Sequence, residues 1–282
     1  MSNTSEHQRG ARAAFRALHD SGCFLLPNPW DIGTARYLEH LGFAAIATTS
    51  AGFAFSRGLP DDPACVTLDL ALGHAREMAA AISLPVNVDF QSGYADEPAG
   101  VAENVTRCIA TGVAGLSIED ATGRSEAPLY EAKLAIERIE AALSAIDSEV
   151  EDRVMLTARC EAYLVGHADP FRVVIERLTA FAAAGADCLY APGVTDPTEI
   201  EAIVRAVAPK PVNVLVWKPL PGLSMTRLAD LGVRRVSVGG ALARMAWGGF
   251  IRAAESLRST GDFGVFGDAA RSDSIERVFR ER

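Results

Sequence analysis

The sequence lacks the marks of a secreted or membrane-spanning protein. Its five cysteines are widely spaced and no Cys-x-x-Cys pair occurs, which favours reduced thiols over a disulfide framework. No apolar run approaches the roughly 18 residues of a membrane span. The first residues, MSNTSEHQRGARAAF, also lack the apolar core of a signal peptide. We therefore expect a cytoplasmic protein.

Positive charge is scarce as well. The 27 Lys and Arg residues against 36 Asp and Glu residues give a formal net charge of −9. The resulting field repels phosphate backbones and anionic lipid headgroups, so neither nucleic acid nor a membrane surface is an expected partner. An anionic substrate would have to be captured by local positive charge, a metal ion or backbone N–H groups.

The 282 residues contain eight short β-rich apolar runs that alternate with segments of helical periodicity. The runs begin with CFLLP at 23–27 and end with VRRVSVG at 233–239. Parallel strands need helical crossovers and are buried on both faces, so this order predicts an α/β fold of the (β/α)₈ TIM-barrel type. A doubly wound sheet is the alternative, weakened because no Gly-x-Gly-x-x-Gly follows the first strand.

No Pro/Ser-rich linker or charge block divides the chain, so residues 1–282 are predicted to form a single domain. Residues 241–282 form a C-terminal helical extension in this prediction. Its first part, GALARMAWGGFIRAAESLRS, has more large apolar side chains than one barrel face needs. We expect this helix to contact another subunit.

Function in such a barrel is concentrated where the strands end. Asp89 and Glu119 end neighbouring strands, and adjacent carboxylates repel each other unless a cation lies between them. A hard divalent ion such as Mg²⁺ suits these oxygen ligands. Helix capping is the alternative role for either acid taken alone.

Arg159 ends the apolar run VMLTAR, where its guanidinium needs an anionic partner. That partner is either a small carboxylate or phosphonate substrate, or a structural ion pair with Glu119 or Glu161. Tyr190 and Asn213 end strands six and seven and are further candidates to bind substrate, with packing as the alternative for the tyrosine.

Several motifs carry a family resemblance, from about Phe24 to about Gly249. In order they are PNPWDIGTARYLEHLGFAAIATTSAGFAFSRGLPD, LPVNVDFQSGYADEP, GVAGLSIED, LTARCEAY, GADCLYAPGV and PVNVL. Their order and spacing resemble the isocitrate lyase and phosphoenolpyruvate mutase superfamily, specifically its short bacterial members. The resemblance implies a barrel assembled as a homodimer or homotetramer, with a C-terminal helix exchanged between subunits. It also implies Mg²⁺, or Mn²⁺ in its place, that holds an α-keto acid or its enolate.

The resemblance assigns roles to particular residues. Backbone groups of the Ser50, Ala51 and Gly52 loop would grip the substrate, and Asp61 matches an acid near the metal. Arg159 would bind substrate. The metal shell would consist of Asp89, Gln91 and Glu119, and the catalytic groups would be Asp61, Glu119 and Arg159.

The sequence departs from the family at two places. Gln91 stands where a second acid is usual, so it can offer a carbonyl oxygen but no charge. The segment after strand four reads EDATGRSEAPLYE, without the Lys-Lys/Arg-Cys-Gly-His signature of the superfamily's lyases. This argues against isocitrate or methylisocitrate cleavage, and the Lys/Asn-bearing loop of the phosphonate enzymes is missing too.

Decarboxylation or retro-aldol-type cleavage of a small keto diacid needs only a metal and an arginine, so the missing loop residues do not argue against it. The sequence therefore predicts a Mg²⁺-dependent lyase that cleaves a C–C bond of a small α-keto or dicarboxylic acid, as an oxaloacetate decarboxylase does. Two alternatives stay open. One is a phosphonate enzyme acting on a P–C bond, and the other is a protein that binds a keto acid without catalysis.

Overall fold

The computed structural model describes residues 3–62, 64–148 and 153–280. Eight short parallel strands form one sheet. They are β1 (Phe24–Leu26), β2 (Ile46–Ala47), β3 (Val86–Asp89), β4 (Gly115–Glu119), β5 (Met155–Arg159), β6 (Cys188–Tyr190), β7 (Val212–Leu215) and β8 (Arg235–Ser237).

The strands pair in the order β1-β8-β7-β6-β5-β4-β3-β2. The two ends of this sheet approach each other just beyond β1. There the Ala47 N–H donates to the Pro27 carbonyl at 3.0 Å, and the Asn28 side chain donates to the Thr48 carbonyl at 2.9 Å. The sheet is thus a nearly closed barrel, which confirms the predicted (β/α)₈ fold.

One helix precedes the first strand, and the others follow the strands in turn. They are α1 (Asn3–Ala17), α2 (Ile32–His40), α3 (Ser50–Ser56), α4 (Leu68–Ala81), α5 (Pro98–Ile109), α6 (Ala132–Asp147), α7 (Pro170–Ala184), α8 (Pro197–Val207), α9 (Met225–Asp230), α10 (Ala241–Thr260) and α11 (Ser272–Arg280). Short polar side chains cap many N-termini. Asp31, for example, accepts the Thr34 N–H at 2.7 Å in a capping box. In the described ranges, no helix combines the length and apolarity needed to cross a bilayer.

Helix α1 closes the amino-terminal end of the barrel. Phe15 is completely buried there against Leu26, Ala114 and Met155. Arg12 fixes the helix by donating to the carbonyls of Val113 and Ile109 at 3.0 and 3.1 Å. Access to the barrel interior is therefore from the opposite end, where the strands finish.

The barrel interior is unusually polar. TIM barrels are generally filled by bulky branched apolar side chains. Here the buried side chains inside the barrel include Asn87, Ser117, Thr157, Asn213, Arg235 and Ser237. A polar interior of this kind is suited to holding a polar ligand or water.

Helix α10 exposes large apolar side chains on the single chain. Met245 and Phe250 are 73% and 63% exposed, and Trp247 and Ile251 are also exposed. A patch of this size is typical of a contact with another protein. Exchange of this helix between subunits remains a prediction.

Candidate active site at the carboxyl ends of the strands

A cavity of about 150 Å³ opens at the carboxyl-terminal end of the barrel. Its wall contains seven predicted site residues: Ser50, Ala51, Asp61, Asp89, Arg159, Tyr190 and Asn213. Glu119, Gln91 and Gly52 lie outside this wall. Pockets for drug-sized ligands measure roughly 300–1,000 Å³, so this cavity suits a small molecule.

Arg159 is the centre of a cluster of acids, here called the upper layer (Asp89, Glu119, Arg159 and Glu161). One terminal nitrogen, Nη1, lies 3.3 Å from Asp89 Oδ1 and 3.2 Å from Glu119 Oε2. Nη2 donates to Glu161 Oε2 at 3.1 Å, and Nε donates to the other oxygen of Glu161. The sequence left open an ion pair with Glu119 or Glu161, and Arg159 makes both.

Glu161 is the member of this cluster that has no place in the predicted site. Its side chain is only 6% exposed. Residues two apart on an extended chain point to the same side, so Glu161 follows Arg159 to the interior while Cys160 turns away. The alternation of inward and outward residues in the segment ARCEAY therefore indicates, from the sequence alone, that Glu161 points inward.

The upper layer holds three carboxyl groups and one guanidinium. Burial raises the pKa of Glu119 and that of Glu161, and Arg159 opposes both shifts. Partial desolvation in the cavity wall and the nearby Asp89 charge also raise the pKa of Asp61. Three carboxyl groups thus contact one guanidinium, with Asp61 as a fourth acid in the cavity wall, an arrangement that favours binding of a further cation.

The donor set fits Mg²⁺, which needs only one or two carboxylates besides water and substrate oxygens. Asp89 faces the cavity, and the buried Gln91 Oε1 has no hydrogen-bond partner among the described residues. Among the same residues, no three His, Cys, Asp or Glu side chains are gathered as a ready-made ligand shell. The fit to a metal therefore rests on the Asp89 carboxylate and the unpartnered Gln91 oxygen.

The turn between β2 and α3 is tied directly to Asp89. The Ser50 N–H donates to Asp89 Oδ2 at 3.1 Å, and the Asp89 N–H donates to Thr48 Oγ1 at 2.9 Å. Gly52 lies behind this turn, where an added Cβ would lie 2.6 Å from Thr49 Cγ2 and 2.9 Å from Trp30 Cβ. The glycine therefore permits close packing of α3.

Asn28 is a wall residue that the sequence reasoning missed. Its Oδ1 accepts the N–H groups of Val238 and Gly239 at 2.9 and 2.8 Å, while its Nδ2 donates to the Thr48 carbonyl. This side chain joins the ends of β1, β2 and β8 at the cavity mouth. Since Asn28 follows the first apolar run, the same rule that selected Asp89 would have found it.

Below the upper layer lies a second set of polar side chains, here called the floor (Thr157, Asn213 and Arg235). Arg235 donates from Nε to Asn213 Oδ1 and from Nη2 to Thr157 Oγ1, both at 2.9 Å. Its Nη1 lies 3.3 Å from His19 Nε2. Arg235 is 2% exposed and borders the cavity.

The comparison with known proteins places this barrel and site in a family. The model of the phosphoenolpyruvate phosphomutase family matches residues 15–258. The chain therefore belongs to the phosphoenolpyruvate phosphomutase family, within the superfamily that the motifs indicated.

Individual relatives extend this result. A solved structure from Burkholderia cenocepacia J2315 is 48% identical, with a TM-score of 0.92 and 97% of each chain covered. An uncharacterized Mycobacterium tuberculosis protein is 36% identical over 80% of this chain and 81% of its own length. An oxaloacetate decarboxylase of Pseudomonas aeruginosa is 31% identical over 84% of this chain and 80% of its own length. Members of this family are lyases and mutases, so the chain is expected to be an enzyme.

Proposed function

We propose that the protein is a Mg²⁺-dependent lyase that cleaves a C–C bond of a small α-keto diacid, with oxaloacetate as the first candidate substrate. The observation that carries this proposal is the excess of buried carboxylates around Arg159 at the edge of a cavity of about 150 Å³. A metal ion and a small oxygen-rich substrate would complete that charge arrangement. Similarity to an oxaloacetate decarboxylase supports the same reaction class.

Asp89, with Gln91 and Glu119, would hold the metal, which when bound supplies positive charge beside the keto oxygen of the substrate. The Ser50 turn and Arg159 would orient the substrate carboxylate by hydrogen bonds. Asp61 lies in the same wall, where its carboxyl group can hold a proton and transfer it to the product carbon. Tyr190 stacks near Arg159, with 5.3 Å between the guanidinium carbon and the ring centre, and limits how that arginine moves.

The second candidate is a phosphonate enzyme, favoured by the family's own description as a phosphomutase. The same metal and arginine could bind phosphonopyruvate in place of a keto diacid. The third candidate, a keto-acid binder without catalysis, would use the same contacts but release no product. Both alternatives can be separated from the proposal by product analysis.

The test is release of CO₂ and pyruvate from oxaloacetate by purified protein with Mg²⁺, with and without chelator, corrected for the metal's own solution rate. Asp89→Asn should lower kcat/KM by at least about 100-fold, since it removes a charge beside the reacting group. Asp69→Asn is the matched control, because Asp69 is exposed on α4 and pairs with Arg107 away from the cavity.

Chelator-insensitive or Asp89-independent turnover would contradict the proposal. Turnover of phosphonopyruvate alone would establish the phosphonate reaction. Tight keto-acid binding with no product over hours would establish the binder.

A further inference from the structure

The floor of the cavity holds a buried arginine whose charge no acid of the described chain balances. We propose that Arg235 binds the second acidic group of the substrate, so that the site selects a small dianion over a monoanion of the same size. This inference rests on the proposed function for the identity of the reacting end, which would lie at Asp89.

The contacts of Arg235 are all neutral. Asn213 and Thr157 accept two of its hydrogen bonds, and His19 is its third contact. The His19 Nδ1 lies 2.8 Å from the Phe15 carbonyl, which assigns the ring proton to Nδ1 and leaves Nε2 as an acceptor for Arg235. Within residues 3–62, 64–148 and 153–280, Arg235 takes part in no ion pair with Asp or Glu.

A buried guanidinium without a counter-charge is costly unless a ligand supplies one. Arg235 has five N–H donors and uses three of them in the contacts above, which leaves two. A bound carboxylate would satisfy both the charge and the remaining donors.

A second unsatisfied polar group lies in the same wall. Asn87 is 4% exposed, its Oδ1 has no hydrogen-bond partner among the described residues, and its Nδ2 is 3.5 Å from the Val88 carbonyl. Buried amides are nearly always bonded to protein or to ordered water. This oxygen borders the cavity and accepts but does not donate, so it would pair with a water or hydroxyl group held beside a bound anion and not with the carboxylate itself.

Arg159 is less suited to attract a second acidic group. Asp89, Glu119 and Glu161 already surround it, so the field at that guanidinium is balanced or negative. The two arginines that border the cavity in the described chain thus differ in the charge they offer to an anion. Arg235 is the one whose charge is unopposed.

The geometry suits a short diacid. Arg235 contacts Thr157, which precedes Arg159 by two residues on β5, a rise of about 6.6 Å along the strand. A four-carbon diacid is long enough to reach from the upper layer to the floor. Its first carboxylate would lie near Asp89 and its second near Arg235.

The test compares two ligands of one shape, succinate and its monoamide succinamate, by calorimetry in Mg²⁺ buffer. Asn213→Asp is the sharpest variant, because a carboxylate at the Asn213 Oδ1 position would neutralise Arg235 without moving it. Arg235→Gln removes the charge, and Arg235→Lys keeps it. Arg153→Gln is the matched control, since Arg153 pairs with Asp147 and Asp187 away from the cavity.

We expect the wild type to prefer succinate, and Asn213→Asp and Arg235→Gln to weaken succinate binding by roughly 10- to 100-fold. Succinamate binding should change little, Arg235→Lys should retain part of the preference, and Arg153→Gln should keep all of it. Circular dichroism identifies variants that have not folded. If Arg235→Gln is one of them, the inference is tested with Arg235→Lys and Asn213→Asp alone.

Three results would overturn the inference: no succinate preference in the wild type, a preference that survives Asn213→Asp, or equal loss of both ligands in the folded variants. The last result would mean that Arg235 only holds the barrel together. If oxaloacetate is not cleaved but the Arg235-dependent preference is present, the proposed reaction fails while the dianion site stands. If oxaloacetate is cleaved and no such preference is found, the reaction stands and the dianion site fails.

Discussion

In the upper layer of the barrel interior, Arg159 faces three carboxylates, whereas in the floor Arg235 contacts an amide, a hydroxyl and an imidazole. Both arginines are on strands of one sheet and border one cavity. The upper layer has surplus acid and is suited to bind a cation. The floor has surplus base and is suited to bind an anion.

The contrast matters because the chain as a whole repels anions. With a formal charge of −9, long-range attraction cannot bring a keto diacid into the barrel. Capture must depend on charges a few ångströms away, inside a low-dielectric wall where they act strongly. Separating the two signs into two layers would give a substrate one favourable orientation, with its reacting end toward the acids and the metal.

Arg159→Met is expected to have the largest effect on the difference between the two layers. Removing one partner from a buried ionic cluster leaves uncompensated charges, which costs about 3–5 kcal/mol of unfolding free energy. Equilibrium urea unfolding at neutral pH measures this loss, and Arg159→Lys, which keeps a charge, should lose clearly less. A loss below about 1 kcal/mol would mean that the surrounding acids accept protons easily and that Arg159 does not balance them.

A second test titrates the wild type and one variant of each layer with Mg²⁺. Binding to the folded state alone stabilises a protein by about 2.7 kcal/mol at a hundred times the Kd. We expect Mg²⁺ to stabilise the wild type and Arg235→Gln by a similar amount, measured as a rise in the thermal unfolding midpoint. Asp89→Asn should show no such rise. An equal gain in Asp89→Asn would place the ion elsewhere.

The upper layer was largely predictable from the sequence. Strand-end acids and arginines are visible in one dimension, since Asp89, Glu119 and Arg159 each close an apolar run. The (β/α)₈ order was visible for the same reason, because each unit has its own periodicity. The burial of Glu161 could also have been predicted, by continuing the alternation of β5 for two residues beyond Arg159.

In the floor, Asn213 was a predicted site residue, but Arg235 and Thr157 were not. Arg234 and Arg235 are adjacent at the start of β8, and alternation says only that they point to opposite sides. The register with β7 decides between them. Asn213 pairs with Arg235, which points inward, while Arg234 donates to the Gly22 carbonyl on the exposed side. Contacts between distant strands, and the closure of the barrel base by α1, become visible only in three dimensions.

The smallest expected effect concerns pH and His19 beneath Arg235. Burial, and then the charge of Arg235, lower the pKa of His19 to about 3, while its hydrogen bond to Phe15 opposes the shift. The unfolded chain therefore binds this proton near pH 6.5 and the folded chain does not, so stability must fall as the pH drops below 6.5.

His19→Gln removes that proton linkage. The difference in unfolding free energy between wild type and variant should be constant above pH 7, and below 6.5 it should change by up to about 1.4 kcal/mol per pH unit, to the disadvantage of the wild type. Because burial is the larger cause, Asn213→Asp should keep most of this slope.

A flat difference between pH 6.5 and 5 would mean that folded His19 binds a proton as readily as the unfolded chain does. Neither burial nor the Arg235 charge would then disfavour that proton, which contradicts an unopposed charge on Arg235.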